Sequence, residues 1–245
     1  MPACLEICVD SIDSALAADR GGAQRIELCA SLLEGGLTPN AGMIRVIRER
    51  LGLAVFVMIR PRGGDFLYSE AEFESMKEDI RVAKSLGANG VVLGLLTAEA
   101  HVDAARTREL IELARPLETT FHRAFDLAID LNQALEDVIA TGASRILTSG
   151  GAQTAPEGAD QIRQLVHSAR GGITIMAGSG IKSGNLREVL AATGVSEVHA
   201  SAKAPVARAM QYQRDVAMGS GQPHEYMRQV TDEEEVRALA RILRE

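Results

Sequence analysis

Cys4-Leu5-Glu6-Ile7-Cys8-Val9-Asp10 alternates polar and apolar residues one by one. As a strand it puts Leu5, Ile7 and Val9 on one face and Cys4, Glu6, Cys8 and Asp10 on the other. Carboxylates and thiols make a poor core, because an unpaired buried carboxylate costs roughly several kcal/mol. The polar face therefore looks into water or belongs to a site with partners elsewhere in the chain. The same pattern returns as Ile26-Glu27-Leu28-Cys29. Two neighbouring strands of this kind bring Glu6, Cys8, Glu27 and Cys29 to one place.

Outward from that stretch, strand and helix patterns alternate strictly. Strands read at Cys4–Asp10, Arg25–Ala30, Ala54–Arg60, Gly90–Leu95, Thr119–Asp126, Arg145–Gly151, Ile173–Gly180 and Glu197–Ser201. Helices read at Ser11–Gly22, Met43–Arg50, Ser69–Leu86, Val102–Arg115, Leu131–Thr141, Ala159–Ser168, Ser183–Ala192 and Asp232–Leu243. Ser183 and Thr231 read as caps of the last two. Short apolar strands between helices imply a parallel sheet covered by helices. Eight such units in 245 residues, with no linker, predict one (β/α)8 TIM barrel over residues 1–245. The competing doubly wound sheet wants a phosphate fingerprint after strand one, and Cys8 to Ala15 offers none. Lys203 to Val230 breaks the rhythm. It carries Pro205, Gly219, Gly221 and Pro223 with Met210, Met218 and Met227, and reads as a cover over the barrel mouth or a subunit contact.

A net charge of −7 argues against a nucleic-acid or anionic-membrane partner, and 3% aromatic residues argue against a base-stacking surface. The longest apolar run, Leu53 to Ile59, is far short of the ~20 residues that span a bilayer. The first strand begins so near Met1 that no signal peptide is expected. Three cysteines suit a reducing cytoplasm better than a disulfide framework.

In a barrel the site lies at the C-terminal ends of the strands. Strand one brings Glu6, Cys8 and Asp10 there, and strand two Glu27 and Cys29. Strand three ends in Arg60 and Arg62. If Phe121 packs outward, His122, Ala124 and Asp126 point inward, and strand eight adds His199 and Ser201. Glu6, Glu27, His122, Asp126 and His199 are candidates for acid–base or orienting roles on a small anionic metabolite, with Arg60 and Arg62 holding the anion. The same acids also suit an ionic layer paired with Arg60, Arg62 or Arg123. Gly150, Gly178, Ser179 and Gly180 with Thr148 suggest a phosphate or carboxylate cradle after strands six and seven. Cys8 and Cys29 on adjacent strands suggest a soft-metal pair for Cu(I), although no Cys-x-x-Cys is present.

Several segments together resemble one family. They are Leu5-Glu6-Ile7-Cys8, Arg25 to Ala30, Glu34-Gly35-Gly36-Leu37-Thr38-Pro39, and Arg60-Pro61-Arg62-Gly63-Gly64-Asp65-Phe66. Thr120-Phe121-His122-Arg123-Ala124-Phe125-Asp126, Leu147 to Gly150, Ile175 to Gly178 and Glu197-Val198-His199 complete the set. Along nearly its whole length the chain resembles the CutC family of copper homeostasis proteins. That resemblance implies a cytoplasmic (β/α)8 barrel, commonly a homodimer, which handles copper through cysteines that carry over to Cys8 and Cys29. The chain departs from some relatives in having Val9 after Cys8 and Leu67 after Phe66. That weakens a reading as a store with many thiols.

Overall fold

The computed structural model describes residues 3–206, 209–212, 214 and 228–245. Eight parallel strands close into a barrel in sequence order: β1 (Cys4–Val9), β2 (Arg25–Leu28), β3 (Ala54–Met58), β4 (Gly90–Leu93), β5 (Glu118–Phe121), β6 (Arg145–Thr148), β7 (Thr174–Gly178) and β8 (Glu197–Ala200). Helices cover the outside: α1 (Ile12–Gly21), α2 (Ala41–Arg50), α3 (Glu70–Ser85), α4 (Ala104–Ala114), α5 (Leu131–Thr141), α6 (Ala159–Ala169), α7 (Leu186–Thr193) and α8 (Glu233–Arg244). The fold is a (β/α)8 barrel, as the alternating pattern predicts.

Alternation along each strand separates two environments. Leu5, Ile7, Val9, Ile26, Leu28, Val55 and Val57 face the helices and form one continuous apolar core with them. Glu6, Cys8, Arg25 and Glu27 take the other face, toward the barrel axis, although they too are buried. Register then builds layers inside the barrel. Glu6 lies level with Arg25 on one side and His199 on the other, and Cys8 lies level with Glu27.

Near the N-terminal ends the interior is ionic. Arg25 pairs with Glu6 and with Glu197, and Arg145 pairs with Glu197 at 3.1 Å and with Glu118. Both guanidinium carbons sit 4.9 Å from the centre of the Phe56 ring. The ionic layer exists, but the partner of Glu6 is Arg25 from its own register row, not Arg60, Arg62 or Arg123. These partners satisfy the buried Glu6 carboxylate, whereas Glu27 forms no ion pair with an arginine among the described residues.

Two boundaries differ in ways that matter for the site. β5 ends at Phe121, and Arg123–Leu127 turn into a 3-10 helix, with His122 as its cap. Strand alternation therefore stops governing before Asp126. Ser183 caps no helix: Asn185 precedes α7, while Ser183 donates through its backbone N–H and its hydroxyl to Glu235. Thr231 ends a strand and Asp232 caps α8. The long connection opens and closes as an antiparallel ribbon of β9 (Lys203–Val206) and β10 (Arg228–Thr231). Its Met218, Gly219, Gly221, Pro223 and Met227 lie outside the described residues.

Candidate functional site

A cavity of about 850 Å³ opens at the C-terminal mouth of the barrel. Cys8, Glu27 and His199 stand on its floor, Arg60, Phe66 and His122 on one wall, and Ser179, Gly180 and Ser201 among the rim residues. One atom each from Cys8, Glu27 and His199, all suited to metal ligation, lie within 4.8 Å of one another.

His199 owes its orientation to the layer beneath. Its Nδ1 is 2.7 Å from Glu6 Oε1, which leaves Nε2 on the Glu27 side, 3.9 Å from Glu27 Oε2. Burial opposes a charged imidazole here, but Glu27, Cys8 and Glu6 outweigh it, so the affinity of His199 for a proton is well above the ordinary histidine range. Burial likewise opposes a charged Glu6, yet the His199 hydrogen bond and the Arg25 charge hold its carboxyl at about 2. Glu27 lacks such support, and burial raises its carboxyl above the usual range. The two glutamates thus diverge: Glu6 is a fixed anion, whereas Glu27 is the group poised to gain a proton.

Cys29 is fully buried beside Phe56, Met58 and Val92 and is not part of the cavity lining. Its thiol donates to Glu27 Oε2 at 3.5 Å, and burial, followed by the Glu27 charge, pushes it well above the normal thiol range. The cavity floor therefore groups Cys8 with Glu27 and His199, and Cys29 stands behind Glu27.

His122 reaches the cavity wall as the residue between β5 and the 3-10 turn. Its Nδ1 accepts from Ala124 N–H at 3.1 Å. Burial and the neighbouring Arg60 charge lower its basicity to about 3, so the ring is neutral near pH 7. Arg60 is a buried clamp: Nη1 donates to the carbonyls of Glu34 and Gly36, and Nη2 donates to Gly64.

Other candidates sit elsewhere. Arg62 pairs with Asp65 at 3.0 Å and with Glu72 at 2.6 Å, away from the cavity lining. Asp126 binds Arg123 and accepts from the Thr148 hydroxyl and from the backbone N–H of Ser149 and Gly151. It ties two loops together. Gly150 N–H donates to Thr148 Oγ1, so both groups of the expected anion cradle are spent internally. Gly178 serves a steric purpose: a Cβ there would lie 2.5 Å from Leu147 and 3.2 Å from His199. The Ser179 hydroxyl donates to the Gln153 carbonyl, although the residue does line the rim. The residues that sequence reasoning missed are Arg25, Arg145 and Glu197. Their charge at strand starts was the available signal.

Comparison with known proteins follows the same lines. The CutC family model matches residues 3–204. The chain belongs to the CutC family. A CutC family protein from Chromobacterium violaceum is 54% identical over 98% of this chain and 97% of its own length. The mouse copper homeostasis protein cutC homolog is 48% identical over 98% of this chain and 89% of its own length. Among solved structures, CutC from Streptococcus agalactiae superposes with a TM-score of 0.78 at 34% identity, covering 81% of this chain and 98% of that one. Among the described residues, no helix of this CutC chain is long and apolar enough to cross a membrane.

Proposed function

We propose that this CutC-family chain serves copper homeostasis by binding one Cu(I) at the cavity floor, with Cys8 Sγ and His199 Nε2 as its ligands. The observation that carries this reading is the grouping of Cys8, Glu27 and His199 donor atoms within 4.8 Å. The donor set fits the ion, since thiolate and imidazole are ligand types that Cu(I) takes. Glu6 on Nδ1 supports the pairing, because carboxylates behind ligating histidines fix ring orientation and raise ligand basicity. Glu27 Oε1 is buried without a partner and stands beside the same place. In its ionised form it favours a cation there. Cys29 is a reserve thiol in this reading, separated from the floor by Glu27.

Retention of Cu(I) against a competing chelator tests the reading. Cys8→Ser and His199→Asn each weaken retention by at least about tenfold, a difference of ~1.4 kcal/mol. Cys29→Ser changes it far less. Unchanged retention in Cys8→Ser overturns the proposal. A cytoplasmic location and a homodimer belong to the same proposal, and three free thiols support the first.

A second reading is favoured by one further observation. The cavity, at about 850 Å³, falls in the range of small-molecule pockets, roughly 300–1,000 Å³, and far exceeds the room that one ion needs. In that reading the chain is an enzyme acting on a small anionic metabolite. Arg60 supplies positive charge at the wall, while Glu27 and His122 face the ligand.

A further inference from the structure

We propose that Glu235 fills, with its own carboxylate, an anion site on the loop between β7 and α7, and so bars phosphorylated ligands from the barrel mouth. Such a bar is independent of copper, and it narrows the metabolite reading to anions that carry no phosphate group. Barrels of this fold frequently bind phosphate through the loops that follow strands seven and eight. Here the loop after strand seven already holds an anion. Ser183 N–H donates to Glu235 Oε1 at 2.7 Å, and the Ser183 hydroxyl donates to Glu235 Oε2 at 2.7 Å. Each carboxylate oxygen thus takes one donor, and Ser183 and Glu235 both line the cavity.

Sequence and packing hold Glu235 in place. Asp232-Glu233-Glu234-Glu235 open α8, and the first three are engaged elsewhere. Asp232 accepts from Glu234 N–H, Glu233 pairs with Arg20 and Arg237, and Glu234 pairs with Arg237. Glu235 instead reaches across to the β7–α7 loop. The start of α8 is anchored on both sides of it. Asp232 N–H donates to the Ala202 carbonyl at 2.7 Å, and Val236 is fully buried. A Cβ on Gly21 would lie 2.6 Å from Val236, so α1 and α8 pack too closely there for any larger residue. The carboxylate is therefore delivered to the loop by a fixed helix, not by a loose surface side chain.

A phosphate group arriving at this loop meets donors that are taken and a like charge that repels it. The tethered carboxylate also competes intramolecularly, an advantage that a free ligand lacks. The neighbouring loop is closed in the same manner, since Asp126 accepts from the Thr148 hydroxyl and from Ser149 and Gly151 N–H. Loops after β6 and β7 are thus both filled by the chain's own carboxylates. Lys182 and Lys203 line the cavity too, and neither forms an ion pair among the described residues. Removing Glu235 frees two donors on Ser183 and leaves two unpaired cations in the same lining.

Titration of the full chain with inorganic phosphate, at an ionic strength held constant with chloride, tests this through the 15N–1H NMR signal of the Ser183 amide. The wild-type signal is expected to show no saturable shift. Glu235→Ala is expected to show one, with an affinity at least about tenfold above any wild-type binding. Glu235→Gln keeps the size of the side chain and one uncharged acceptor, so it falls between the two, and it decides the matter if Glu235→Ala fails to fold. Adding Ser183→Ala to Glu235→Ala removes the hydroxyl donor and weakens the phosphate binding gained. No gain in a folded variant overturns the anion site. Wild-type binding as tight as that of the variants overturns the bar, and undiminished binding in the double variant overturns the assignment to Ser183. Each of these failures leaves the copper reading and the broader metabolite reading standing, because the signal reports on Ser183 and not on the cavity floor.

Discussion

Glu6 stands between Arg25 and His199, and this one side chain links the ionic layer to the cavity floor. Its carboxyl titrates at about 2 rather than 4.5, so it stabilises the fold above the unfolded value, and that contribution is lost as pH falls from 4.5 toward 2. Glu6→Gln is predicted to cost on the order of 3 kcal/mol in urea unfolding at neutral pH, because it removes one of the two carboxylates on buried Arg25 and the charged partner of His199. His122 works in a higher window. Its proton affinity is lowered from 6.5 to about 3, so unfolding takes up a proton below pH 6.5 and stability falls as the solution is acidified. The slope reaches at most about 1.4 kcal/mol per pH unit. Urea midpoints between pH 6.5 and 4.5 should flatten in His122→Gln, while the wild-type protein loses stability across that range. The same slope in wild type and in His122→Gln would mean that His122 is not held neutral by its surroundings.

At the scale of elements, the 3-10 turn after β5 does two jobs: it places His122 at the wall and anchors the β6 loop through Asp126. Asp126→Ala removes the acceptor for the Thr148 hydroxyl and for Ser149 and Gly151 N–H. Faster hydrogen exchange at those two amides is the expected outcome, together with unchanged Cu(I) retention. A loss of copper binding in Asp126→Ala would return Asp126 to the site. This turn also marks where the sequence stops being legible. Alternation along β1 and β2 places Glu6, Cys8 and Glu27 on the inner face without any structure, because the side-chain period of a strand is local. The partners of those residues are not local. Arg25 meets Glu6 through the register of adjacent strands, and Arg145 on β6 meets Glu197 on β8 across the barrel interior; no single stretch contains either relation. Asp126 was misplaced for the opposite reason. The chain leaves the strand at Phe121, and hydrogen bonds to a distant loop, invisible in Thr120 to Asp126, set the direction of its carboxylate.

Over the whole molecule, barrel closure turns eight separate strand ends into one rim, so that β1, β2 and β8 jointly build the floor. A charged layer below and an open mouth above give the cavity opposite ends: one fixed by buried ion pairs, one open to ligand. Replacing Arg25 by Met leaves Glu6 and Glu197 without their shared cation, so cooperative unfolding should shift by about 3 kcal/mol or more with the barrel still closed. An effect below about 0.5 kcal/mol would show that the layer is incidental. Copper chemistry at the floor is the claim on which the functional account depends. X-ray absorption at the copper edge of the Cu(I)-loaded chain tests it most directly. The account predicts one sulfur and one imidazole nitrogen around the ion, from Cys8 and His199. Two sulfurs and no nitrogen would contradict it, and would assign the ion to the Cys8 and Cys29 thiols instead.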